Sequence, residues 1–376
     1  MTAAATYDAI VIGGGLHGLS TALQLARRNA RVLVLERRHV GRHSSGINAG
    51  GVRRMGRDER EIGLSQVAFE MWSDIVGLVG DDCGFVASAQ IKVAENAAEL
   101  AKLEARVAKV RALGWTHEEI IGPDRLFALV PALARHCVGA MACFGDGAAD
   151  PMRTVMAFRR AAVAAGAELR EGSFVQAIEP GDPIRVVTEE GTFAAPRVAN
   201  CAGAWARNVA ALVGEDIPCG VKASMMIVTE RLPRFCEPTV GAAGRALSFK
   251  QSAAGTVVVG GGMQGKADAA AETSVVNFRN LGTSARTVTD LFPVMKGARI
   301  VRTWCGIEAK TADEIPVIGE SEKLPGLFHS FGYSGHGFQL SPAAGLAVAE
   351  LMLRGQTNLP VAAFAPGRFH AAAQAA

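Results

Sequence analysis

Three glycines near the start of the chain, Gly13-x-Gly15-x-x-Gly18, stand where a backbone can approach a phosphate, and Glu36 follows where a carboxylate can reach a ribose hydroxyl. The chemistry depends on spacing. Gly13 permits a sharp turn, Gly15 leaves room for a pyrophosphate against the main chain, and Gly18 lets a helix lie close to a strand. A helix starting there points free N–H groups and a partial positive charge at the anion. Glu36 comes about 20 residues after the turn, the distance at which an acid meets the sugar of an adenosine. The glycines thus predict a site for an adenosine diphosphate moiety.

The elements needed to position these groups are all legible. Tyr7–Ile12 is a short apolar run, the stretch after Gly15 is amphipathic, and Val32–Leu35 is a second apolar run ending in Glu36. That order is strand, turn, helix, parallel strand. The connection HVGRHSSGINAGGVRRMG then shows neither helical nor strand period, and a loop of that length in a compact enzyme is usually functional. Helices are predicted over 61–79, 95–113 and 153–165, and strands in FVQAIEPGDPIRVVTEEGTF, at 197–201, Met225–Val228, Thr256–Val259, Ile300–Trp304 and Leu327–Phe331. Residues 217–262 read as an antiparallel block. A final helix is expected over Ala343–Leu353 with Ser341-Pro342 as its start, followed by an alanine-rich, frayed tail after Phe369. A second Gly260-x-Gly262-x-x-Gly265 reads as a turn leaving a strand, because KADAAAETS supplies no helix face and no second strand ending in an acid.

Composition excludes several classes. With 376 residues and a net charge of +3, the chain has room for two domains and no charge pattern for nucleic acid. No stretch approaches a membrane span, MTAAATYD lacks a basic leader region, and the seven cysteines form no CxxC or metal spacing. The expected setting is the cytoplasm, with reduced thiols and no metal.

Four stretches carry a resemblance: the N-terminal unit, SSGINAGGVRR, RTWCGIEAKTADEIPVIG and HSFGYSGHGFQLSPAAG. Together the chain resembles the D-amino-acid-oxidase-like FAD-dependent oxidoreductases, nearest the branch of sarcosine oxidase β-subunits, opine oxidases and glycine oxidases. The resemblance implies FAD, whose length would also explain glycine-rich segments so far apart in sequence. The implied fold class is α/β plus α+β. A Rossmann-like FAD-binding domain (1–80, 150–215 and 300–376) is interleaved with an antiparallel-sheet substrate domain (81–149 and 216–299).

Carried onto this sequence, the resemblance puts Gly13, Gly15, Leu16, His17 and Gly18 at the pyrophosphate, and Glu36 and Arg37 at the adenosine. Ser45, Gly46, Asn48, Ala49, Gly50 and Gly51 would line the ring and ribityl chain. Val175 would sit beside adenine, though it reads equally as a core valine, and Ala202, Gly203 and Trp205 would lie near the diphosphate. Gly306, Gly332, Gly335, His336, Gly337, Phe338 and Gln339 would approach the flavin. Gly306 and Asn48 occupy positions where some relatives tether flavin covalently through cysteine or histidine, which implies non-covalent FAD.

The implied reaction is oxidation of a C–N bond in a small amino acid or N-substituted glycine of sarcosine, iminodiacetate or opine type. Hydride would pass to flavin and the imine would hydrolyse to amine and oxo acid. Arg53 is the candidate fork for a substrate carboxylate; His336, Lys250 and Glu308 are further candidates, with Lys310 a weaker one. Gln339 replaces a carboxylate-anchoring lysine of some relatives, and an apolar residue near Val258 replaces a lysine that serves oxygen. The acceptor is therefore oxygen or another electron carrier. Two alternatives stand beside this: a flavin-carrying subunit that needs partner chains, and an NAD(P)-dependent dehydrogenase.

Overall fold

The computed structural model describes residues 5–369; the tail beyond Phe369 lies outside them. Its first unit is built on a six-stranded sheet. In spatial order the strands are Val317–Glu320, Leu327–Phe331, Val198–Asn200, Ala9–Ile12, Val32–Glu36 and Glu168–Glu171. All neighbours are parallel except the outermost pair, Val317–Glu320 with Leu327–Phe331. Ala9–Ile12 is an unbroken apolar run because both its faces are covered. Ala9 and Val11 join the core beneath the helices, whereas Ile10 and Ile12 meet an antiparallel meander of Val175–Glu179, Ile184–Thr188 and Gly191–Ala195.

Two helices, Leu16–Ala26 and Gly337–Arg354, cross on the helical face. They come so close that a Cβ on Gly345 would lie 2.2 Å from Ser20 Oγ. Helix Pro151–Ala164 packs beside them, begun by Asp150, whose side chain accepts from Arg153 N, and by proline at its first turn.

The second unit is an eight-stranded sheet in the order Ile300–Thr311, Cys219–Arg231, Thr256–Gly260, Ser248–Gln251, Thr239–Ala242, Gln90–Ala94, Gly139–Cys143 and Glu119–Ile121. It is antiparallel but for one pair, Thr239–Ala242 with Gln90–Ala94. Alternation divides its residues. Ile91, Val93, Val240, Phe249, Val257, Val259 and Ile227 form one buried core with Val288, Leu291 and Phe292, the last stacked 4.1 Å from Phe249. The opposite face looks toward the first unit.

Several predictions need correction. The helix expected over 61–79 is two, Glu59–Ser73 and Ile75–Val79, divided at Asp74, whose side chain accepts from Gly77 N. The strand expected at Ile300–Trp304 continues to Thr311 and pairs with Cys219–Arg231, so residues 300–311, grouped above with the FAD-binding segments, belong to the large sheet. The last helix begins at Gly337 and contains Pro342. Proline cannot donate to the Phe338 carbonyl, and Ser341 Oγ does so instead at 2.9 Å. The second glycine motif behaves as expected: a strand ends at Gly260, Gly261 and Gly262 have φ of +104° and +105°, and a short strand rather than a helix follows.

Candidate active site

A continuous cavity of about 1340 Å³ lies at the carboxyl ends of the parallel strands and runs on to the face of the large sheet. Its cradle is made by glycines. Gly13 has φ of +107°, and a Cβ there would lie 2.5 Å from Cys201 O; a Cβ on Gly18 would lie 1.9 Å from Gly13 O. Only hydrogen fits at either position. Gly13, Gly15, Leu16 and His17 line the cavity at the N-terminus of helix Leu16–Ala26, while Gly18 lies behind them in the helix–strand contact. A turn of this shape, with helix amides facing the space, suits a pyrophosphate.

Glu36 lines the same space. Its Oε2 accepts from Gly14 N at 2.7 Å and Oε1 from Arg38 N at 2.8 Å, so the carboxylate also fixes the turn. Each oxygen keeps a further lone pair for a ribose hydroxyl. Beyond it, the Arg37 guanidinium sits 5.1 Å from the Phe174 ring centroid and 5.0 Å from that of Trp205. Val175, Ala202, Gly203 and Trp205 line this end. Trp205 Nε1 donates to Ala269 O at 2.9 Å, and Glu272 pairs with Arg37 and Arg38, so the hairpin of Lys266–Asp268 and Thr273–Val275 is strapped to this end of the cavity.

The glycine-rich loop forms the middle. Ser45, Asn48, Ala49 and Gly51 line the cavity. Gly46 and Gly50 do not: their missing side chains allow contact with Gly41 O (2.2 Å from a Cβ) and Ala149 O (2.1 Å), which folds the loop down. Asn48 donates to the Ser44 and Ser45 carbonyls and accepts from Gly50 N. Trp304 Nε1 holds Ile47 O at 2.8 Å, and a Cβ on Gly306 would lie 2.1 Å from Ile47 Cδ1, so the long strand grips the loop. Cys305, the neighbour of Gly306, packs with Ala223 and Met225 away from the cavity.

At the far end Gly332, Gly335, His336, Gly337 and Phe338 line the cavity around the N-terminus of the last helix. His17 stacks on Tyr333 with ring centroids 3.6 Å apart, joining the two helix starts. Burial pushes His17 down to about 3, so it is neutral at pH 7. His336 Nδ1 lies 2.8 Å from Glu61 Oε2, an oblique approach that is not aligned as a hydrogen bond. Burial, reinforced by Arg57, pushes His336 down to about 4.

Three further expected site residues lie outside the cavity lining. Gln339 is wholly buried outside the cavity: its Oε1 accepts from Arg57 and Ser65 Oγ, and its Nε2 donates to Ser65 O. It ties helix Glu59–Ser73 to the last helix. Lys250 sits behind the loop, its Nζ 3.4 Å from Ala149 O and 3.0 Å from where a Gly50 Cβ would be; burial lowers it to about 8. Lys310 pairs with Glu314 at the surface.

The large sheet supplies the remaining wall, mostly through alternate residues. Gln90 and Lys92, Thr239 and Gly241, Ser248, Met226, Ser224 and Lys222, and Gly306 and Glu308 all face the cavity. Glu308 Oε2 stands 3.5 Å from Lys222 Nζ and accepts from Ser224 Oγ at 3.3 Å. Arg53 enters from the loop side, enclosed by protein but open to the cavity, with one nitrogen donating to Met55 O at 2.7 Å. It has no carboxylate partner among the described residues. Asp146, whose charge acts on it, is bonded to Arg54 and to the Arg54 and Met55 amides. Lys92, Lys222, Arg57 and Glu61 were not singled out from the sequence; for Lys92 the signal was present, as the outward residue of the alternating run QIKVA.

The profile of the FAD dependent oxidoreductase (DAO) family matches residues 8–351. The chain is 29% identical over 368 residues to a glycine oxidase of Geobacillus kaustophilus, covering 95% of this chain and 96% of that one. It is 26% identical to an opine oxidase subunit of Rhizobium meliloti, covering 97% and 98%. The crystal structure of L-proline dehydrogenase from P. horikoshii superposes with a TM-score of 0.91 at 28% identity, covering 98% and 99%. The chain therefore belongs to the FAD-dependent oxidoreductase family, and FAD rather than a nicotinamide is its cofactor. The cradle at Gly13, the acceptor at Glu36 and the length of the cavity fit that group.

Proposed function

We propose that this flavoenzyme oxidises the C–N bond of a small carboxylated amine, an amino acid or an N-substituted glycine. Bound FAD would supply the hydride acceptor, and the imine product would hydrolyse to an amine and an oxo acid. Arg53 carries the reading, as a guanidinium in the wall of the flavin cavity with N–H groups unmatched by any carboxylate of the described residues. A substrate carboxylate completes it and orients the adjacent C–H. The cations around that position favour the substrate amine in its neutral form, the form from which a hydride can leave. The amides at the start of helix Gly337–Arg354 hold negative charge at the far end of the cavity. Neutral His336 neither adds to nor opposes that charge. Cys305, packed away from the space, supports FAD held without a covalent tether.

A second reading is supported by relatives that are components of larger oxidases, the opine oxidase subunit above and the β-subunit of sarcosine oxidase from Rhodobacter capsulatus. On it the chain carries the flavin and passes electrons on within a complex. The acceptor is then oxygen or another electron carrier; no helix among the described residues is long and apolar enough to cross a membrane.

The test is the anaerobic visible spectrum of purified protein with sarcosine, iminodiacetate, glycine, D-proline and D-alanine added singly. Bleaching by at least one, with an oxo acid formed, is the expected result. Flavin that none of them reduces, with or without an artificial acceptor, would overturn the amine reading.

A further inference from the structure

The wall opposite the flavin loop holds a second cation that the proposed reaction leaves unassigned. Lys92 stands on strand Gln90–Ala94, its side chain on the cavity face, in register with Gly241 on one side and Met141 on the other. It has no hydrogen bond or ion pair among the described residues. The acid whose charge acts on it, Glu118, is already committed. Both its oxygens receive Arg106, and Oε1 also accepts from Gly56 N at 2.6 Å. Arg53 is close enough for its charge to press on Lys92. Two cations that repel each other, both enclosed and both unpaired, cost stability unless something negative joins them.

The surroundings of Lys92 suit a carboxylate. Gln90 flanks it along the strand, and Ser248 lies beyond Gly241 on the next strand but one. The side chains of both face the cavity without a partner among the described residues. Gly241 lines the cavity between them, where a Cβ would lie 3.2 Å from Leu247 O and 3.9 Å from Gln90 Nε2. One wall thus presents an ammonium, an amide and a hydroxyl toward the same volume that Arg53 enters from the other side.

We propose that Arg53 and Lys92 form a two-cation clamp for an amine carrying two carboxylates, one held by each cation with the nitrogen between them. This rests on the amine-oxidation reading and narrows its substrate class. Amines with one carboxylate leave Lys92 unpaired; dicarboxylic secondary amines satisfy both cations. Hydrogen bonds to charged groups are the strongest of their kind, so discrimination of about tenfold or more is expected.

The experiment has two arms on the holoenzyme. In the first, kcat/KM with an artificial acceptor is measured for iminodiacetate and sarcosine on wild type, Lys92→Met and Lys92→Gln. Wild type is expected to favour iminodiacetate at least tenfold, and either variant to lower that ratio at least tenfold through KM. In the second, malonate and acetate are titrated calorimetrically. Malonate is expected to bind wild type at least tenfold more tightly than acetate, with that preference lost in the variants. Equal use of the two amines, a ratio indifferent to Lys92, or equal binding of the two anions would overturn the clamp. A Lys92-dependent preference for malonate without reduction of flavin by any amine would leave the clamp standing and overturn the amine reading instead.

Discussion

The two ends of the cavity are built in opposite ways. At the end where we place the adenosine a single stretch, residues 9–36, supplies strand, turn, helix, second strand and acid; Gly18 answers to a contact within that stretch and Gly13 to one just past its neighbouring strand. At the end where we place the substrate, Arg53 enters from the loop and the other groups come one to three at a time from strands that begin at residues 90, 219, 239, 248 and 300, brought to one face by alternation. The first end is a local motif with tight steric demands, so it tolerates little. The second is a surface with a two-residue period, on which a polar residue can be exchanged without disturbing the strand. The cofactor end is therefore rigid in identity, and the substrate end is where specificity can be rewritten.

The largest expected effect sharpens that contrast. Gly13→Ala places a methyl about 2.5 Å from Cys201 O at a residue with φ of +107°. The main chain must move, and purified protein is expected to lose bound flavin, read from its visible spectrum. Retention of the full flavin content would break the claim that this end tolerates nothing. Next comes Arg53→Met, which is expected to lower kcat/KM for carboxylated amines roughly tenfold to a hundredfold while flavin content is retained. Loss of flavin there would place Arg53 with the cofactor rather than the substrate.

The smallest effect concerns Lys250, between the two ends. Its pKa in the folded chain, about 8, lies below the ordinary 10.5, so the unfolded chain binds more protons between those values. Stability then rises with pH through that window, and the cost of the buried charge is fully present below pH 8. Lys250→Met should raise stability at pH 7 by about 1–3 kcal/mol, with the gain over wild type shrinking by pH 10. Thermal melts at the two pH values check it; a gain that does not change with pH would contradict the burial of a charged ammonium.

What could be read from the sequence follows the same division. The Gly13 turn and Glu36 were visible because their partners are near in sequence, and the loops at Ser45–Gly51 and Gly332–Phe338 because resemblance marked them. Gln339 was misplaced by the same route. It follows Phe338 directly, but one step along a helix rotates a side chain by about a quarter turn or more, from the cavity to Arg57 and Ser65. Lys250 shares the cavity-facing parity of Ser248, yet the loop at Gly50 covers it. Lys92 escaped attention because an exposed lysine on an alternating strand is ordinary. Only the register of Gln90–Ala94 against Thr239–Ala242 turns it into a wall of the cavity. Pro342 suggested a helix start; Ser341 Oγ, by occupying the Phe338 carbonyl, let the helix begin a turn and a half earlier.

The central claim is that Arg53 holds the substrate by its carboxylate beside the flavin. The most direct measurement compares anaerobic flavin reduction by sarcosine and by dimethylamine, the same secondary amine without the carboxylate, in wild type and Arg53→Met. The account predicts that wild type is reduced far faster by sarcosine than by dimethylamine, and that Arg53→Met narrows the difference. Equal reduction of wild type by both amines, or a preference that survives the loss of Arg53, would contradict it.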